Sequence, residues 1–254
     1  MSPVALPGLP RFYLPGELWS EPSVLQGPEH HHLTRVLRKK AGELIVCFDG
    51  QGRQGRFVIT SVTKNRAALR LEEEEWLPRP AARISLALAW SKSLRRGWLL
   101  EKCVELEAQQ VIFWQAGRSI GHLPERPKQA MIDQLLAGAK QSGNLWLPEL
   151  HCQSGGVPGL ARICKDFDQL FFLWEKCATE SLLDPFRLAR PLHTLVVLGP
   201  EGGMDDDEAA ALEAVGFTAA SLGSRVLRWE TAALLCLGLG LWGRNQLTIA
   251  SHQE

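Results

Sequence analysis

Absent from the 254 residues is any run approaching the roughly 18 apolar positions of a membrane-spanning helix. The most apolar segment, TAALLCLGLGLWG (231–243), is too short to cross a bilayer and is expected to pack inside the protein. At the N-terminus, MSPVALPGLPRFYLPG has prolines and an arginine where a signal peptide needs a continuous apolar core, so a cytoplasmic location is expected. The six cysteines form no C-x-x-C pair and no Cys/His spacing suited to zinc. Most sit among apolar neighbours, as in LIVCF and ALLCL, where cysteine acts as a small hydrophobe, which argues against a cysteine nucleophile. Also missing are a G-x-x-x-x-G-K-[ST] phosphate loop, internal repeats and low-complexity segments. A net charge of zero argues against indiscriminate binding of nucleic acid.

What remains is a folded-protein composition, 45% hydrophobic and 22% charged, in a chain long enough for one large domain or two ordinary ones. Charge is unevenly placed. Residues 1–70 hold ten Lys/Arg and five Asp/Glu, a net of +5 balanced by −5 over the rest, which suits a local footprint for an anionic polymer or a solvated basic face.

The first part reads as β-rich. ELIVCFDG and RFVITSV are short strand-like runs joined by the glycines of DGQG, and AALRLEE follows as a third strand. Ahead of them, PEHHHLTRVLRKKAG (28–42) has helical spacing at Leu33, Val36 and Leu37, with Arg35, Arg38, Lys39 and Lys40 on the opposite face and Gly42 as a stop. The run EEEEWLPRPAAR (72–83) joins a charge cluster to two prolines and marks the connection: a first domain at 1–75, a linker at 76–83 and a second domain at 84–254. From Ile84 strand-like and helix-like segments alternate: ISLALAW, GWLLEKCVELEAQ, QVIFWQA, PKQAMIDQLLAGAKQ, QLFFLW, HTLVVLG, DDEAAALEAVGF, TAASLG and ETAALLCLGLGLW. That alternation predicts an α/β domain with a parallel sheet.

Ligands bind such sheets beyond the carboxyl ends of the strands. LGPEGGMDDDE (198–208) lies at one such end. Its glycines allow close backbone approach to a ligand, and Asp205 with Glu208 forms a capping-box pattern for the following helix. Glu201 and three aspartates would repel phosphate, so a neutral or cationic ligand fits this loop better, unless it is an ordinary strand–helix turn. SLGSRVLRWETA (221–232) is a second glycine-bearing strand end, with Arg225, Arg228 and Glu230 clustered before an apolar helix. The triple histidine His30–His32 does not suit a metal, because adjacent helical residues point in different directions.

Taken together, LGPEGG, SLG-x-R-V-L-R-x-E-T-A, RFYL, HHLTRVLRKKAGELIVCFDGQG, EKCVEL and KQSG…PEL resemble the RsmE family of 16S ribosomal RNA uridine methyltransferases, from Arg11 to about Trp242. The resemblance implies a small PUA-like β-barrel that binds RNA, followed by a SPOUT-type parallel-sheet domain with a deep trefoil knot. It further implies S-adenosylmethionine as methyl donor, a homodimer through the C-terminal domain, 16S rRNA or the 30S subunit as partner, and N3-methyluridine near the decoding region as product. By this resemblance Leu198, Gly199, Pro200, Gly202 and Gly203 form one wall of the cofactor pocket, Leu222, Gly223, Ser224 and Leu227 another, and Leu173 closes a third strand end.

Methylation at N3 requires loss of the imide proton, which leaves negative charge spread towards the two carbonyl oxygens of the uracil ring, and a fixed arginine stabilises that charge. Arg228 is the first candidate and Arg225 the second, with Glu230 as an arginine-orienting group or proton acceptor. Arg35, Arg38, Lys39, Lys40, Arg118 and Lys140 are the RNA-contact candidates, and no metal is expected. The sequence departs from the family pattern at four places: Glu107 where glycine is usual, Gly117 before Arg118-Ser119 where an acid is usual, Asn144 where arginine is usual, and Trp229 in place of a small residue or threonine. Asn144 and Trp229 fall where substrate and cofactor are expected. They leave open an RNA-binding or assembly protein with weak or no catalysis, or a methyltransferase with another RNA target.

Overall fold

The structure, a computed structural model, describes residues 8–91, 95–177 and 181–250, so the outer ends of the two expected domains lie outside the described residues. Two compact units result. One runs through Arg79 and takes in Ala139–Leu147; the other comprises Pro80–Gly138 and the chain from Pro148 onward.

The first unit is a five-stranded sheet of β1 (Arg11–Tyr13), β2 (Ser23–Gln26), β3 (Leu44–Phe48), β4 (Arg53–Val62) and β5 (Arg66–Trp76), in the order β1-β3-β4-β5-β2. Alternation along β4 and β5 sends Phe57, Ile59, Ala67 and Leu69 inward, where they meet Phe12, Trp19, Leu25 and Leu33. The turn between β3 and β4 is set by Gly50 and Gly52, both at positive φ (77° and 98°), and by the Asp49 carboxylate, which accepts from the backbone N–H of Gln51 at 2.7 Å and of Arg53 at 3.1 Å. Against this turn lies the inserted segment: Gly52 N–H donates to Leu145 at 3.0 Å and Leu147 N–H to Gly50 at 2.9 Å. A Cβ at Gly52 would stand 2.4 Å from the Trp146 ring, so only glycine fits there. These contacts place residues 139–147 with the first unit, whereas the sequence suggested an unbroken second domain over 84–254.

Two further expectations change. The helix read over residues 28–42 is α1 (Gly27–His31) followed by a π-type turn, His32–Val36, with Arg38 at φ 53°. The wider turn, in which Leu37 N–H reaches back to His32 at 3.0 Å, rotates the apolar stripe off the core. Leu33 is fully buried, but Val36 is 59% exposed. The third strand, read as AALRLEE, extends as β5 through the whole acidic run to Trp76, the first residue of the expected linker. Arginines neutralise the acidic run from neighbouring positions: Arg56 reaches Glu73 at 3.2 Å, Arg70 reaches Glu72 at 2.9 Å, and Arg53 binds Glu74 while stacking on Trp19 at 4.0 Å.

The second unit is a six-stranded, wholly parallel sheet. Its strands are β6 (Arg83–Ala89), β7 (Gln110–Trp114), β8 (Glu149–Gln153), β9 (Gln169–Leu173), β10 (His193–Leu198) and β11 (Thr218–Ala220), in the order β11-β9-β10-β6-β7-β8. Its helices are α2 (Arg96–Glu105), α3 (Gln129–Ser142, whose last four residues belong to the first unit), α4 (Gly156–Ala161), α5 (Pro185–Leu188), α6 (Asp206–Ala214) and α7 (Trp229–Ala250). The continuous apolar runs are the strands buried on both faces, as parallel sheets require; β10 is buried at every position. β8, α4 and α5 carry no pattern that the sequence made legible. Because β10 inserts between β6 and β9, with β11 beyond β9, the carboxyl ends of three strands from the C-terminal half lie side by side. At Glu107 the backbone is left-handed (φ 58°), which accounts for glycine as the usual residue there; this chain instead uses the side chain to pair with Arg244 of α7.

Candidate active site

The loops at the ends of β9, β10 and β11 enclose a cavity of about 830 Å³, within the range of small-molecule sites. After β10, the chain turns at Pro200–Gly203, closed by Gly203 N–H donating to the Pro200 carbonyl at 2.9 Å. Gly203 has φ 75°, and a Cβ there would come within 2.8 Å of the Glu175 carboxylate; at Gly199 it would press on Met204 at 3.3 Å. Asp205 then caps α6 through the expected capping box, with Glu208 N–H donating to its carboxylate at 2.8 Å. Glu208 also accepts from Gly117 N–H at 2.7 Å, and Arg118 donates to the Gly202 carbonyl at 3.1 Å. The other wall follows β11. Ser221 accepts from Gly223 N–H at 3.1 Å and exchanges backbone hydrogen bonds with Ser181 and Leu183, at 2.8 and 2.9 Å, which fixes the loop that leads to α7.

Three arginines (Arg95, Arg225, Arg228) and three glutamates (Glu175, Glu201, Glu230) line the cavity. Glu230, in the first turn of α7, is only 6% exposed and ion-paired with Arg95. Burial pushes its pKa up, but its own backbone N–H, the bond from Arg95 and the nearby Arg228 charge outweigh that and hold the carboxyl below its ordinary value. It is therefore an ionised anchor and a weak proton acceptor. Trp174 and Trp229 also line the cavity; the indole N–H of each is buried and, among the described residues, has no acceptor, as is also true of Trp90 and Trp146.

Of the residues expected from the sequence, Leu173, Leu198, Gly199, Pro200, Gly202, Gly203, Leu222, Gly223 and Leu227 line this cavity, as do Arg225, Arg228 and Glu230. Ser224 is exposed and outside the lining. Sequence reasoning missed Arg95, Trp174, Glu175 and Met204. The signal for Trp174 and Glu175 was their position directly after Leu173; Arg95, in SKSLRRGW, had none.

The RNA-contact candidates separate. Arg118 braces the glycine loop, and Lys140 is ion-paired with Glu29 inside the first unit. Lys39 pairs with Glu43 at 2.8 Å, and the same carboxylate takes the Lys40 backbone N–H at 2.6 Å. Arg35 and Arg38 are exposed, and among the described residues neither has an acidic partner. Asn144 shapes the inserted turn by accepting from Trp146 N–H at 3.0 Å. Of the three histidines, His30 is buried with a ring nitrogen 3.1 Å from the Thr63 carbonyl, and His32 packs edge-on to Phe12, so they face different partners.

Comparison with known proteins gives matches along most of the chain. An RNA methyltransferase domain matches residues 78–240, and an RNA methyltransferase PUA domain matches residues 25–72. The Bacillus subtilis ribosomal RNA small subunit methyltransferase E is 27% identical over 226 residues, covering 84% of this chain and 87% of that protein. The Mycobacterium tuberculosis protein of the same name is 29% identical over 223 residues, covering 85% and 84%. Among solved structures, a putative methyltransferase of Legionella pneumophila in complex with S-adenosylmethionine superposes with a TM-score of 0.79 at 26% identity, over 91% of this chain and 96% of that one. The Neisseria gonorrhoeae ribosomal RNA small subunit methyltransferase E, bound to S-adenosylmethionine, gives 0.75 at 27%, over 91% and 95%. With the methyltransferase match alone spanning well over half of its length, the chain belongs to the RNA methyltransferase family, its methyltransferase domain preceded by an N-terminal PUA-like domain.

Proposed function

We propose that the protein methylates N3 of a uridine in 16S ribosomal RNA, near the decoding region of the small subunit, with S-adenosylmethionine as donor. The observation that carries this reading is the convergence in one cavity of two glycine loops, three glutamates and a cluster of arginines. These residues fit the donor. The site offers backbone groups of Leu198–Gly203 and Leu222–Leu227 to adenine and ribose, has no phosphate-loop lysine, and lines its wall with carboxylates suited to a cation. S-adenosylmethionine supplies, when bound, a methyl group on an electron-poor sulfonium. Gly199, Gly202 and Gly203 keep the wall free of side chains, and Pro200 stiffens it. Arg228, with Arg225, stabilises the charge left on the uracil oxygens when N3 loses its proton to solvent, and Glu230 holds an arginine in place. Alignment of N3 with the methyl group contributes the rest of the acceleration.

In this reading the first unit carries the RNA on Arg35 and Arg38, and the protein works in the cytoplasm, where the subunit is assembled; among the described residues no helix is long and apolar enough to cross a membrane. The second unit is of SPOUT type with a trefoil knot, a reading that rests on the resemblance of LGPEGG and SLG-x-R-V-L-R-x-E-T-A to the RsmE family. Tracing residues 174–228 in an experimental density map tests the threading. A homodimer through the C-terminal domain is supported by the apolar side chains left exposed on α5 and α7, with Phe186 and Trp242 at 48% and 53% exposure and their rings 6.1 Å apart. Sedimentation equilibrium is expected to return twice the 28.2 kDa chain mass, and a 28.2 kDa species throughout would remove the dimer.

The deciding experiment is transfer of a radiolabelled methyl group to 30S subunits from a host lacking N3-uridine methylation, followed by digestion to nucleosides. Label in N3-methyluridine is the expected result. Donor binding without label in any nucleoside would favour an RNA-binding or assembly role, and label in another nucleoside a different target.

A further inference from the structure

The proposed reaction, on which this inference rests, needs a cation held rigidly against the uracil ring. Arg225 and Arg228 line the cavity, but among the described residues no hydrogen bond or ion pair fixes either guanidinium. Arg95 differs. It stands immediately before α2, far from the C-terminal motif in sequence, and its guanidinium is tied to the Glu230 carboxylate. The two partners are unequally placed: the Glu230 side chain is 8% exposed, while that of Arg95 is 54% exposed on the cavity wall. The carboxylate is thus sunk in the protein at the first turn of α7, and the cation it holds projects toward the space where substrate must sit. A buried carboxylate stripped of its counter-charge is strongly disfavoured, so the pair is locked from the protein side and presented from the other.

We infer that Arg95 is a catalytic residue that contacts the uracil oxygens as N3 becomes anionic, and that Glu230 is its positioning residue. A rigid cation at this point is worth more than a mobile one because it costs no reorganisation as charge develops. An ionised, arginine-bound Glu230 also agrees with a positioning role and not with proton abstraction.

Single-turnover methyl transfer to unmethylated 30S subunits at saturating S-adenosylmethionine, with donor affinity measured by calorimetry, tests the assignment. Arg95→Ala is expected to slow transfer by about a hundredfold or more with donor affinity within about threefold of wild type. Arg95→Lys keeps charge without the planar fork and should recover about tenfold of that loss. Glu230→Gln should fall between the two and displace the rising limb of the pH–rate profile to higher pH, because a displaced cation stabilises the uracil anion less; a purely structural role would lower the rate without moving the limb. Unfolding midpoints check that each variant folds, and Arg95→Lys serves if Arg95→Ala does not. The assignment is overturned if Arg95→Ala keeps its rate within threefold, if Arg95→Lys does no better than alanine, or if donor affinity falls by the same factor as the rate. A wild-type protein that binds the donor but transfers nothing removes the uridine reading itself and with it the role of Arg95, an outcome separate from an active wild type indifferent to Arg95.

Discussion

Alanine at position 228 is expected to lower methyl transfer by about a hundredfold or more, a loss of about 2.7 kcal/mol in transition-state stabilisation, while RNA affinity changes by no more than a few-fold. Arg228 sits at the mouth of α7, its carbonyl accepting from Ala232 N–H at 2.9 Å, and its side chain lines the cavity close enough to Glu230 to help depress that carboxyl's pKa. The backbone bond survives the substitution, so the helix start is kept and only the charge is removed. Steady-state kinetics with filter-binding of RNA make the distinction: kcat should collapse with KM for RNA nearly unchanged. An equal loss in RNA affinity would instead make Arg228 an RNA-anchoring residue. If Arg95 and Arg228 act on the same anion, the double variant will lose less than the product of the two single effects, since neighbouring groups of one catalytic unit are not additive.

The second large effect is on stability. Gly243→Ala in α7 should destabilise the second unit by about 2 kcal/mol net, once the helical preference of alanine, about 1 kcal/mol, is set against overpacking. A Cβ at 243 would stand 2.5 Å from the Pro185 carbonyl oxygen and 2.9 Å from its carbon, both backbone atoms of α5 that cannot swing aside. At Gly240 the approach is shorter, 2.0 Å, but the obstacle is the Ile84 Cδ1 methyl, which can rotate. Gly243→Ala is therefore expected to be the more damaging of the two despite the longer distance. Thermal unfolding followed by circular dichroism should show its midpoint lowered by about 4–8 °C, and a midpoint equal to wild type would mean that α5 yields.

These arguments use parts of the molecule that differ in how legible they were. HTLVVLG followed by PEGG read correctly as a buried strand opening onto a glycine loop, because apolar runs, helix caps and glycines are local signals. Both C-terminal motifs were recognised for the same reason, and they meet in one cavity. Where sequence reasoning failed, the deciding contacts were distant. Lys140 is neutralised by Glu29, 111 positions away, and Arg95 is anchored by Glu230, 135 positions away. The run Glu72–Glu75 looks like the end of a strand until the arginines of β4 are brought beside it. The stripe Leu33, Val36, Leu37 has helical spacing, yet a π-type turn has its own period and leaves two of the three outside the core. The inserted segment 139–147 carries no compositional mark, because its place is set by the glycine turn at 50–52.

Glu208 has a consequence of another kind. One carboxylate caps α6 and holds the loop after β7, and that loop's Arg118 in turn holds the Gly202 carbonyl. The glycine-rich wall, which its own composition would leave loose, is thereby ordered when the chain folds and not when the methyl donor arrives. The entropy of fixing it is charged to protein stability instead of to affinity, so donor binding can be tight without an accompanying gain in structure, and the cost falls on a cap and an arginine that do not line the cavity.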